Sequence, residues 1–222
     1  KPWAAVYTAA IYFFMIALGA LTIYALQYAS QAGWSPVLFR VMESIASYLP
    51  IGSIIMFVLL LLSVMQVNGL FHWMEPGIMD SESVNYDSVI AGKAGFLNKP
   101  FFLIRAAFYL LGWNLYAQFS RKYSLKEDEY GDSDISWYRK NFKIAAGYLA
   151  FFIVTESMMT WDWLMGFDPH WFSILYGWYI FAGMMVTACV AIALVTIYLK
   201  NKGYMEFVND SHIHDLAKFI FA

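Results

Sequence analysis

Residues 171–199 read WFSILYGWYIFAGMMVTACVAIALVTIYL, with no charged side chain among them. A helix rises 1.5 Å per residue, so about 20 apolar residues cross the roughly 30 Å hydrocarbon core of a bilayer. This stretch is long enough by itself. Charge-free runs also extend from Trp3 to Phe39, Ser44 to Met74, Ala106 to Ser120 and Ile144 to Thr155. Strand-like alternation is not visible, and open sheet edges are not tolerated in lipid. The runs predict an all-α, polytopic transmembrane helix bundle.

Composition agrees. The 222 residues are 61% hydrophobic and only 14% charged, where a soluble domain carries about 25% charged residues. Aromatic residues make up 20%, with nine Trp and sixteen Tyr, enough for belts at both membrane surfaces. A net charge of −2 offers no footprint for nucleic acid. The single cysteine, Cys189, lies in an apolar run, so no disulfide framework exists and it reads as a small core residue.

The expected spans are about 3–28, 38–67, 100–119, 140–163 and 170–200, within one helical domain covering residues 1–222. Pro50 removes a backbone donor and should kink the second span. Pro100 suits the first turn of the third. Residues 201–222 read as a cytoplasmic tail leading to a further span, and both ends are expected to be interior points of a longer polypeptide. The loops then alternate between two faces. One holds Lys1, the 68–99 loop and the 162–169 turn. The other carries Arg40, Arg121, Lys122, Lys126, Arg139, Lys140, Lys143, Lys200, Lys202 and Lys218. The positive-inside rule assigns this second face to the cytoplasm and the acidic 68–99 loop to the outside. The charge run LKEDEYGDSD at 125–134 reads as a solvated loop, with docking of another subunit as the alternative.

Ionisable groups inside spans are costly and therefore candidates for function. Arg105 lies five residues into the third span and Glu156 seven before Trp163, at depths of roughly 8 and 10 Å from the same face. The two are expected to approach each other, either as an ion pair that fixes packing or as a step in a proton path. Glu43, one turn from Arg40, is expected to form an i,i+3 pair with it. Glu43 would be the inner and Glu156 the outer end of a proton path. Asp162, Asp168 and His170, in the hairpin between the last two spans, are further candidates at its mouth. Asn114, Gln66, Gln118, Thr155 and Thr187 offer polar rungs. His72 and His170 sit at span ends rather than inside the bundle, which suits capping better than haem ligation. His212 and His214 lack a further ligand set. Neither an iron–sulfur cysteine cluster nor a phosphate loop nor a nucleophile motif occurs. No catalytic, cofactor-binding or metal-binding residue is predicted.

Several strings carry a resemblance across nearly the whole chain: TWDWLMGFDPHWFSILYGWY at 160–179, QAGWSPVLFRVMES at 31–44, FHWMEP at 71–76, AGKAGFLNKPFFLIRAAFY at 91–109 and HDLAKFIFA at 214–222. Together they resemble the second large membrane subunit of alternative complex III, the bacterial quinol:cytochrome c (or other high-potential acceptor) oxidoreductase. That subunit is similar in turn to the polysulfide-reductase (NrfD-like) membrane subunits, which are built of two helical bundles; about half would be seen here. The resemblance implies a multi-pass subunit of the bacterial inner membrane with no redox cofactor of its own. Haem c and iron–sulfur clusters would reside in iron–sulfur and multihaem cytochrome c partners. Menaquinol or another quinol would be bound by a sister subunit, and lipids would surround the bundle. The outward loops at 68–99 and 162–170 would meet the partners. A quinol-binding motif does not map onto these residues. The role implied is structural, and the buried carboxylates extend it to proton conduction. A secondary transporter, which needs helices broken at mid-membrane, and a scaffold without chemistry are the alternatives.

Overall fold

A computed structural model describes residues 2–131 and 134–221. Among them every regular element is helical. The main helices are α1 (Pro2–Ala29), α2 (Phe39–Ala46), α3 (Leu49–Val64), α4 (Ser88–Gly92), α5 (Lys99–Tyr130), α6 (Ser136–Trp163), α7 (Tyr176–Asn201) and α8 (Asp210–Phe221). Four segments are long and apolar enough to cross a membrane: Pro2–Ala29, Pro36–Val64, Ser136–Phe167 and Tyr176–Asn201. The expected third span, 100–119, is the first part of α5 and is not among the four. Arg105 and Asn114 interrupt its apolar stretch, and its second half from Arg121 to Glu129 is strongly charged.

The second span is broken as Pro50 predicts. α2 stops at Ala46 and α3 starts at Leu49, because a proline ring clashes with the carbonyl four residues back and supplies no amide proton. At 170–200 the expectation needs correction, since α7 begins only at Tyr176. The Asp168 carboxylate accepts from the His170 amide (3.2 Å) and the Trp171 amide bonds the Asp168 carbonyl (3.2 Å). This local turn competes with helix at that point.

α1 is the axis of the bundle and packs against α2, α3, α6 and α7. All its residues from Ala17 to Ala25 are buried, as expected of a helix that is apolar on every side. Close approach to α7 depends on Gly19. A Cβ there would stand 2.7 Å from Ala188 Cβ and 2.9 Å from the Met184 carbonyl oxygen. Small residues at such crossings are how helices pack where lipid removes the usual hydrophobic drive. α5 packs on α6 and α3, outside this centre. Outward-facing Ile54, Leu111 and Leu194 are exposed, which suits contact with acyl chains.

One end of the bundle carries the long 68–99 segment and the α6–α7 connection. Phe71 stacks on Phe167 (4.8 Å between ring centroids) and meets Tyr7 and Phe102 edge-on, while Trp73 meets Phe102. Phe71 and Trp73 are buried. The FHWMEP string is thus the aromatic plug that fastens this segment to the helix ends. Asn98 caps α5 by accepting from the Phe101 amide (3.0 Å), with Pro100 in the first turn.

Candidate functional site

Ionisable groups fall into three places along the bundle. Nearest the loop-bearing end, Arg105 of α5 meets Asp162 of α6. Nε donates to Oδ2 at 2.8 Å and Nη2 to Oδ1 at 2.5 Å. Tyr109, one turn further along α5, donates its hydroxyl to Asp162 Oδ2 at 3.1 Å. The side chains are 4% and 0% exposed. Phe96 and Phe101 lie against the guanidinium, with ring centroids 4.0 and 4.2 Å from Cζ. This bidentate, aromatic-sandwiched geometry is the arrangement in which arginine tolerates burial.

Glu156 is not the partner of Arg105, contrary to the expectation from depth alone. Helical register supplies the reason. At about 100° per residue, Asp162 lies almost in line with Thr155, two turns back, and Glu156 points about 120° away from Asp162. Thr155 faces α5, where it accepts from Trp113 Nε1 at 3.1 Å. Glu156 instead borders a cavity of about 150 Å³ between α1, α6 and α7, shared with Thr22, Phe152, Trp178 and Phe181. It is 4% exposed. Thr160 Oγ1 donates to Oε1 at 3.2 Å and Ser157 Oγ to Oε2 at 3.5 Å. Among the described residues it has no salt-bridge partner.

At the opposite end, Glu43 forms the expected i,i+3 pair with Arg40, Nη1 to Oε2 at 2.5 Å. The same oxygen also accepts from Arg121 of α5, and Arg40 reaches on to Asp128. Glu43 borders a cavity of about 370 Å³ with Tyr24, Ser120, Gln118 and Arg121. Beside it, Asn141 Nδ2 donates to the Tyr24 hydroxyl (3.1 Å), Ser120 donates to Asn141 Oδ1 (2.7 Å) and Tyr28 donates to Glu127 (2.9 Å). Burial holds the Glu127 carboxyl above its ordinary range, against the hydrogen bonds from Tyr28 and Asn141.

Between these ends lie Thr22 and Tyr148, joined at 3.0 Å across α1 and α6. The hydrogen bonds therefore form separate groups at successive depths among the described residues. Tyr24, Asn141, Ser120, Tyr148, Thr22 and Tyr109 are members that the sequence reading did not name. Of the rungs it did name, Asn114 donates to Ser53 (2.7 Å) and Gln66 to the Met74 carbonyl (2.6 Å). Thr187 turns back on the Gly183 and Met184 carbonyls of its own helix.

Asp168 and His170 stand apart from the buried groups. His170 Nε2 lies 2.7 Å from Asp87 Oδ2, and Lys93 Nζ donates to the Pro169 carbonyl at 2.5 Å. They clip the 68–99 segment to the α6–α7 connection. Asp87 also caps α4, accepting from the Val89 and Ile90 amides. Its carboxyl is held below the ordinary range first by the Ile90 amide, then by the Val89 amide and His170. His72 pairs with exposed Glu75 (2.9 Å) at the same end. Among the described residues there is no group of three or more His, Cys, Asp or Glu placed to hold a metal ion. Cys189 is buried and free.

No protein-family model matches this chain, and no curated protein matches it.

Proposed function

We propose that this chain is a multi-pass membrane subunit of a quinol-oxidising electron-transfer complex of the alternative complex III kind. In this reading it holds no redox centre and handles protons at Glu156. The single observation that carries the proton role is the setting of Glu156: a carboxyl group inside a helix of membrane-spanning length, 4% exposed, served among the described residues by two hydroxyl donors and no cation. An ionised carboxylate there would lack a counter-charge, and such groups in spans commonly mark proton relays. The Arg105–Asp162–Tyr109 group supports a different role. Arg105 and Asp162 neutralise each other through two hydrogen bonds, although Arg105 Nη1 is buried without a partner among the described residues, and the pair suits pinning α5 to α6 better than exchanging protons. Glu43, between two guanidiniums and beside the 370 Å³ cavity, suits the solvent-facing end of the path. The resemblance of the quoted strings supports the assignment to such a complex. With the basic face inside, the 68–99 segment and the α6–α7 connection would face extracytoplasmic iron–sulfur and cytochrome c partners.

The test has two parts. Purification from native membranes should bring down a haem-containing assembly. In proteoliposomes, the assembly carrying Glu156→Gln should still oxidise quinol while the protons moved per electron fall at least twofold. An unchanged ratio would remove Glu156 from the path, and a solitary substrate-binding oligomer would favour a transporter.

A further inference from the structure

Where α5 ends and α6 begins, Trp137 is the hub of a basic and aromatic cluster. Lys140 Nζ lies 3.7 Å and Lys126 Nζ 5.8 Å from its ring centroid, one from each helix. Tyr123 packs on the same indole at 5.8 Å. Arg139 and Lys143 add two more exposed cations to the first two turns of α6. Among the described residues, Arg139, Lys140 and Lys143 form no salt bridge. Two acids, Glu129 and Asp134, lie nearby among the described residues. Glu129, 61% exposed, holds Lys126 at 3.1 Å, a surface pair of little strength. Asp134 lies close enough to feel the Lys140 charge, and its oxygens accept from the Ser136 amide and hydroxyl, both at 2.8 Å. Towards the bundle centre the α5 surface turns apolar, with Phe119 and Leu115 about half exposed.

We infer that this cluster binds the phosphate of an anionic phospholipid. The headgroup would sit between Lys126 and Lys140, the glycerol region against Trp137 and Tyr123, and the acyl chains along Phe119 and Leu115. Three features favour a lipid over a free anion. The cations surround an amphipathic indole rather than a polar cavity, an exposed apolar strip continues from them, and the cluster lies at the end of a helix of membrane-spanning length, where headgroups are found. The inference rests on the membrane setting of the bundle, not on its part in electron transfer.

The full chain, purified in mild detergent, is mixed with equal amounts of phosphatidylglycerol and phosphatidylcholine of the same acyl chains. Native mass spectrometry then counts the lipids retained. The wild type should keep phosphatidylglycerol over phosphatidylcholine by about tenfold, the scale expected for one or two near-surface lysines. Lys126→Gln with Lys140→Gln should abolish that preference, and Lys218→Gln, on α8, should leave it intact. Equal retention of the two lipids by the wild type overturns the site, as does an unaltered preference in the double variant. Removal of the bound phosphatidylglycerol by millimolar inorganic phosphate assigns the cluster to a free anion and also overturns it. A chain that stays monodisperse without detergent would instead defeat the membrane reading itself.

Discussion

Arg105 and Asp162 meet through two parallel hydrogen bonds at 2.8 and 2.5 Å, sealed from their surroundings and sandwiched by Phe96 and Phe101. The pair joins α5, which is not among the four strongly apolar segments, to α6, which is. Removing one partner strands the other charge. Asp162→Ala should therefore lower stability by about 3–5 kcal/mol, whereas Arg105→Met combined with Asp162→Leu should recover most of that loss. Thermal unfolding in detergent measures both. Equal loss in the single and double variants would show that the site matters for shape rather than charge.

Gly19 sets the distance between α1 and α7. In Gly19→Ala the new methyl would sit 2.7 Å from Ala188 Cβ and 2.9 Å from the backbone oxygen of Met184. The helices must move apart, at a cost of about 1–3 kcal/mol. Ala188→Gly should restore only part of this, because the Met184 carbonyl cannot be trimmed. The melting temperatures of the single and double variants decide it.

Glu43 Oε2 accepts from both Arg40 and Arg121 and so couples α2 to α5. Glu43→Gln and Arg121→Gln should each destabilise the bundle. A double-mutant cycle should return a coupling of about 0.5–3 kcal/mol. Coupling indistinguishable from zero would mean that the two side chains do not act together.

The clip between Asp87, His170 and α4 should depend on pH. Asp87 is an acid held below its ordinary range by the Ile90 and Val89 amides and by His170. Its stabilising contribution is therefore complete above the unfolded carboxylate pKa of about 3.9 and disappears as pH falls through the lower folded value. Hydrogen exchange at Val89 and Ile90, corrected for intrinsic rates, should show protection from neutral pH down to that range and loss below it. Asp87→Asn keeps an N-capping acceptor and should flatten this dependence. Asp87→Ala should speed exchange at every pH above that range and match the wild type below it.

Four of the five expected apolar segments were legible because charge-free length is a one-dimensional property, and the break before Pro50 was legible because proline chemistry is local; the segment at 100–119 carries Arg105 and Asn114 and is not among the four. The start of α7 was misplaced for a local reason as well. The Asp168 side chain closes its own turn, and this outweighs the preference of Pro169 for a first helical position. Depth along the helix, without azimuth, does not give the partner of Arg105. The register linking Thr155 to Asp162 was present in the sequence, but nothing in the sequence showed which face of α6 meets α5. The contacts of Asn141 with Tyr24 and of Thr22 with Tyr148 depend on how α1 crosses α6. No spacing within either helix encodes that crossing.

The ion pair between α5 and α6 also bears on how the chain is made. Arg105 is synthesised well before Asp162, and an unpaired guanidinium inside a lone helix is costly to partition into lipid. A nascent α5 with its guanidinium uncompensated would linger at the translocation machinery until α6 emerges. The two helices would then enter as a hairpin, and the unit of insertion would be the pair and not the single helix.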